Sequence, residues 1–188
     1  MLAASRRARR LAVPLASFAV LAASGSRPAR AGNEAAGHVP AESPHRYAIH
    51  IAQATTVSTL HRLLDGARER LRDPICQQVL DDFRDVEGRP LRRRLEVTGQ
   101  TPDEYLGLVI FYDGRTHPRC SQEGIFAATS VGSRAVFVCP GELDRVAGLN
   151  AALAEATLIH EALHTLGLGE NPPTSREITA GVLRRCRH

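Results

Sequence analysis

His160-Glu161-Ala162-Leu163-His164 sets two imidazoles and a carboxylate at a spacing with mechanical meaning. Residues four apart face the same way on a helix, so both rings can reach one metal ion. Glu161, beside the first ring, is close enough to take a proton from a water held by that metal. Zinc in a hydrolytic site uses three protein ligands, keeps a further position open, and lowers the pKa of the water there to about 7. The bland alternative is an amphipathic helix that carries two unrelated histidines. Against it, Ala162 and Leu163 are uncharged, and Leu149, Leu153, Ala156, Ile159, Leu163 and Leu166 run through the motif at helical spacing as far as Gly167.

The chemistry requires a third ligand. Gly167 can adopt the left-handed conformation that ends a helix and swings the following residues back, which brings Glu170 within reach of the metal. Glu177 is the alternative, although Thr174-Ser175-Arg176-Glu177 is also a capping box, in which Glu177 bonds the backbone at the start of a last helix. Glu170 has a bland reading too, as a loop acid ahead of Asn171-Pro172-Pro173. Register and the short reach of a glycine turn favour Glu170.

The string His160-Glu161-x-x-His164-x-x-Gly167-x-x-Glu170 resembles the metzincin zinc endopeptidases, whose pattern ends in a third histidine. Here that position is Glu170, and the Met turn of the clan has no counterpart, since the only methionine is Met1. With Glu177 as ligand the site would instead resemble the gluzincins and their His₂Glu centre. The resemblance implies an α+β, zincin-like fold: a small mixed or antiparallel sheet packed on a backing helix and on the active-site helix. It also implies a Zn²⁺ cofactor, a peptide or protein substrate laid along an edge strand from the 126–139 hairpin, and Glu161 as general base. A downstream tyrosine, which several zincins use on the oxyanion, is missing, because Tyr47, Tyr105 and Tyr112 all precede the motif. His117, Arg176 and His188 are the substitutes considered. Two other readings remain: a different zinc amide hydrolase such as a cell-wall amidase, or a catalytically inactive, disulfide-bonded extracellular binding domain.

The rest of the chain must position this constellation. Residues 1–31 combine the basic SRRARR, the apolar LAVPLASFAVLAA and a small-x-small site before Gly32, as a secretory signal peptide does. That points to a secreted or periplasmic protein with no membrane association once the signal is cut. Six of the twenty-four basic residues lie in this leader and none of the twenty acids does, so the remainder carries a net charge of −2 and offers no case for nucleic-acid binding. Cys76, Cys120, Cys139 and Cys186 all follow the leader at spacings too wide for a four-cysteine zinc site, which predicts two disulfides of undetermined pairing.

Residues 32–48 read as a flexible N-terminal segment and 49–188 as a single, monomeric domain. Val57, Leu60, Leu64, Ala67 and Leu71 predict a first helix. Asp73-Pro74 then starts a second, carried by Ile75, Val79, Leu80 and Phe83 to Gly88. The arginines 92–94 read as a solvated face paired with local acids. A capping box at Thr101 opens a helical turn, residues 107–112 predict a buried strand, and Gly132-Ser133 suit the centre of a type II′ hairpin turn. A last helix is expected from about Ser175 to Arg185.

Overall fold

Helical periodicity shapes the helices that carry the core. Helix α1 (Ala54–Arg72) buries Leu60, Leu63, Leu64, Ala67 and Leu71 along one face. It stops at Asp73, whose carboxylate accepts from the Ile75 N–H (2.8 Å) with Pro74 next in the chain. This is a computed structural model and it describes residues 47–187; the leader over 1–31, most of the 32–48 segment and His188 lie outside the described residues.

The second helix expected up to Gly88 is instead two short ones, α2 (Pro74–Gln77) and α3 (Val79–Asp82). A loop closed by an Arg84–Pro90 bridge follows. The arginine cluster then forms a helix of its own, α4 (Leu91–Thr98), which buries Leu91 and Leu95 and ends at Gly99 in the left-handed conformation (φ +69°). Its arginines are paired: Arg92 with Asp81 (2.7 Å), Arg93 with Glu96 (3.0 Å) and Arg94 with Asp85 (3.2 Å). Helix α5 (Pro102–Leu106) opens on the Thr101 capping box.

Four strands form one mixed sheet in the order β1-β2-β4-β3. Strand β1 (Ala48–His50) pairs parallel with β2 (Ile110–Asp113), and β2 pairs parallel with β4 (Ala135–Val138). Strand β3 (Ala127–Thr129) runs antiparallel to β4 at the edge. Strand β2 starts later than 107, because Gly107 to Val109 are still hydrogen-bonded to the turn that closes α5. The hairpin turn is also shifted. Ser133 N–H donates to the Ser130 carbonyl (2.9 Å), so Val131 and Gly132 are its central residues, and Gly132 supplies the positive φ (+76°) that its position needs.

After β4 the chain forms α6 (Pro140–Leu149) and α7 (Ala151–Thr165). Asn150 separates them, its side chain accepting from Leu153 N–H (3.0 Å) as the α7 cap. That break turns Leu149 out of the expected stripe and leaves it 75% exposed. Helix α7 packs against α1, α6, β3 and the last helix, α8 (Ser175–Arg185), so it is surrounded on most sides. Its residues from Leu158 to Thr165 are all buried. Disulfides join Cys76 to Cys186 and Cys120 to Cys139. Among the described residues no helix is long and apolar enough to cross a membrane.

Candidate metal centre

Helix α7 carries His160, Glu161 and His164 on its buried last turns. Its end is built by Gly167, which sits at φ +106°. Gly167 N–H donates to the His164 carbonyl (2.9 Å) and Leu168 N–H to the Leu163 carbonyl (3.1 Å). This is the paired C-terminal motif that a left-handed glycine permits, with Leu168 and Leu163 both buried beneath it. Two neighbours hold the turn. Val86 N–H donates to the Gly167 carbonyl (3.1 Å), and the hairpin tip gives its Gly132 N–H to the His164 carbonyl (2.8 Å).

The turn brings Glu170 to the histidines. His160 Nε2 and His164 Nε2 lie 2.8 Å apart, and Glu170 Oε1 stands 3.8 and 3.3 Å from them respectively. A tetrahedral ion with bonds of about 2.0–2.1 Å spaces its ligands by about 3.3 Å, so these three atoms fit such an ion. The far nitrogens are also committed. His164 Nδ1 meets the Leu168 carbonyl (2.7 Å), an acceptor only, which puts the proton on Nδ1 and leaves a lone pair on Nε2. His160 Nδ1 meets Thr179 Oγ1 on α8 (2.9 Å). Outer partners of this kind orient metal-binding imidazoles. Burial, reinforced by the His164 ring, pushes the His160 imidazole down to about 3, so it stays neutral as a ligand must.

Glu161 lies in the same site and is not a member of the ligand cluster. Burial, then the nearby Glu170 charge, pushes its carboxyl up to about 8, while Arg119 and the Thr129 backbone N–H on β3 draw it back down. Its Oε2 is buried with no hydrogen-bond partner among the described residues. A carboxylate poised near neutrality with one free oxygen can shuttle a proton.

Glu177 stands apart from this cluster. Its Oε2 accepts from Thr174 N–H and from Thr174 Oγ1 (both 2.8 Å), the capping box at the start of α8. His117 is likewise distant in role: its ring stacks on Phe137 on the sheet face away from the helices (centroids 4.6 Å apart) and its Nδ1 accepts from Arg119 N–H. Arg176 is exposed in the first turn of α8. The residue that sequence reasoning missed is Arg119, whose Nη2 lies 4.0 Å from Glu170 Oε2. Its only sequence signal was its neighbour Cys120.

A cavity of about 320 Å³ opens beside His160 and Glu161, with Phe126, Val146 and Leu153 among its walls. The larger cavity, about 1000 Å³ between the α3 end and α8, is lined by charged residues and touches none of the cluster. The smaller one adjoins the buried Glu161 carboxyl. Comparison with protein-family models, with curated proteins and with solved structures finds no match to this chain. The site therefore defines an α+β domain with a His₂Glu cluster able to hold a divalent cation, and the case for its activity rests on that geometry.

Proposed function

We propose that the chain is an exported, zinc-dependent peptidase with a zincin-like fold. The observation that carries this reading is the convergence of His160, His164 and Glu170 on one point beside the buried Glu161. Two imidazoles and one carboxylate are a donor set that suits zinc and matches its hydrolytic sites. Zinc held there supplies a Lewis acid for the scissile carbonyl and an acidified water.

The chain's residues then divide the work. Glu161 takes the proton from the attacking water and returns it to the leaving nitrogen. Strand β3 is the sheet edge packed against α7, so it can pair its backbone with an extended peptide and hold the scissile bond over the helix. The cavity lined by Phe126, Val146 and Leu153 accepts one apolar side chain next to that bond. The two disulfides suit an oxidising compartment, in keeping with the leader over 1–31 and a secreted or periplasmic location.

The test is hydrolysis of an unstructured protein such as casein by the oxidised chain. Activity should vanish with a chelator, return with zinc, and fall about 10²- to 10⁴-fold in Glu161→Gln while zinc content stays the same. A Glu161→Gln protein that still cleaves would sink the role of this residue. Cleavage of cell-wall peptides but not casein would identify an amidase on the same scaffold, and zinc binding without any hydrolysis an inactive binding domain.

A further inference from the structure

We infer that Arg119 is the catalytic cation that stabilises the oxyanion, an inference that rests on the peptidase reading above. Hydrolysis adds the water oxygen to the carbonyl carbon, Glu161 takes the water proton, and the carbonyl π pair moves onto oxygen as a negative charge. That charge disappears when the C–N bond breaks and the nitrogen leaves with the proton from Glu161. A donor aimed at the developing charge, and idle before it forms, lowers the barrier most.

Arg119 meets these conditions by position. It lies in the short 3₁₀ turn Pro118–Ser121, which packs against β3. The adjacent Cys120 is bonded to Cys139 at the head of α6, which fixes the turn beside the site. The loop ahead of the turn is tight as well: a Cβ on Gly114 would come within 2.7 Å of Cys120 Sγ and 2.6 Å of the Val138 carbonyl. The guanidinium faces Glu170 Oε2, not the Oε1 that faces the histidines. It therefore stands beside the ligand carboxylate, on the oxygen turned away from the imidazoles.

The guanidinium is also free to act. Its side chain is 50% exposed, and its one ion-pair contact among the described residues, at 4.0 Å, is too long for a hydrogen bond. Arginines with structural duties in this protein look different. Arg92 grips Asp81 through contacts of 2.7–2.9 Å, and Arg185 grips Asp82 at 2.7 and 2.8 Å. Arg145 lines the cavity beside His160 and Glu161, but its guanidinium is held by Glu142, and the tyrosines lie elsewhere. Tyr47 and Tyr105 are buried in the core, and Tyr112 stacks with His50 on the sheet face away from the helices.

The experiment compares wild type, Arg119→Ala and Arg119→Lys for kcat and KM, for zinc affinity by chelator competition, and for binding of a phosphinic peptide that mimics the tetrahedral state. Arg119→Ala should lower kcat about a hundredfold to a thousandfold with KM nearly unchanged. Its affinity for the phosphinic peptide should fall by the same factor as kcat/KM, its zinc affinity should stay at the wild-type level, and Arg119→Lys should recover part of the loss. An active wild type beside an equally active Arg119→Ala overturns the inference and leaves the peptidase reading standing. A loss of activity that follows a loss of zinc affinity also overturns it, since Arg119 would then only position Glu170. A wild type that hydrolyses no peptide sinks the peptidase reading, and this inference with it.

Discussion

Glu161, Glu170 and Glu177 are identical side chains, and what each can do is set by what its oxygens touch. Glu170 faces two imidazole nitrogens at 3.3 and 3.8 Å, whereas Glu177 is spent on the backbone and hydroxyl of Thr174. On the proposed zinc site, Glu170→Ala should therefore weaken zinc binding by more than about a hundredfold, since loss of an outer partner already costs about 10- to 100-fold and Glu170 is proposed as a direct ligand. Glu177→Ala should leave zinc affinity unchanged and only lower the melting temperature. Chelator competition on both variants checks this, and equal zinc affinities would refute the assignment of Glu170. Thr179→Val, which removes the oxygen facing His160 Nδ1, should fall between them at about 10- to 100-fold. The histidines and Glu161 were legible from spacing alone, because spacing on one helix fixes direction. The third member of the cluster was favoured without being fixed: the glycine turn pointed to Glu170, but a capping box and a metal site select the same residue type, which kept Glu177 open. Arg119 was invisible because it comes from another element, and sequence does not say which elements meet.

The same contrast holds for elements. Where an apolar stripe persists for several turns, as in α1 and α8, both existence and extent could be read from the sequence. Helix α4 escaped because its buried stripe is only Leu91 and Leu95, short enough to be hidden by its arginines. The break between α6 and α7 escaped because Asn150 interrupts the period without changing its phase signal, and only the cap it gives to Leu153 N–H reveals it. Asn150→Ala should cost about 1 kcal/mol in urea unfolding through that lost cap. The turn after α7 is more demanding. At φ +106° only glycine is comfortable, and a Cβ on Gly167 would also lie 3.3 Å from Asp85 Cβ. Gly167→Ala should thus destabilise the fold by about 1–3 kcal/mol and weaken zinc binding along with it, because the same turn delivers Glu170. Unfolding curves recorded with and without zinc separate these effects: an unchanged zinc increment would mean that the turn does not position the ligand.

Across the whole molecule, an even set of cysteines announced two disulfides, but their pairing depends on which elements lie together, and only the fold supplies that. Cys76–Cys186 closes a separation of 110 residues and ties α2 to the end of α8. The same corner is held by charge. Asp81 pairs with Arg92 and Asp82 with Arg185, and these hydrogen-bonded guanidinium partners hold both carboxyls below the usual carboxylate range. A carboxyl with a lowered folded pKa stabilises the protein above its unfolded value, about 3.9, and that support is lost as pH falls through the folded value. Each pair is exposed and screened by solvent, so it contributes no more than about 1 kcal/mol. The covalent tie is stronger, typically about 2–4 kcal/mol and about 5 kcal/mol for a loop this long in the chain-entropy account. The Cys76→Ala/Cys186→Ala variant should therefore keep its fold near neutral pH with a lower melting temperature. It should also unfold in acid at a higher pH than wild type, because the ion pairs are then the main support of the corner and fail first as protons arrive. Circular dichroism followed from pH 7 to 2 on both proteins checks this. An acid transition at the same pH in both would show that the α3–α4–α8 ion pairs and the disulfide do not support the same corner.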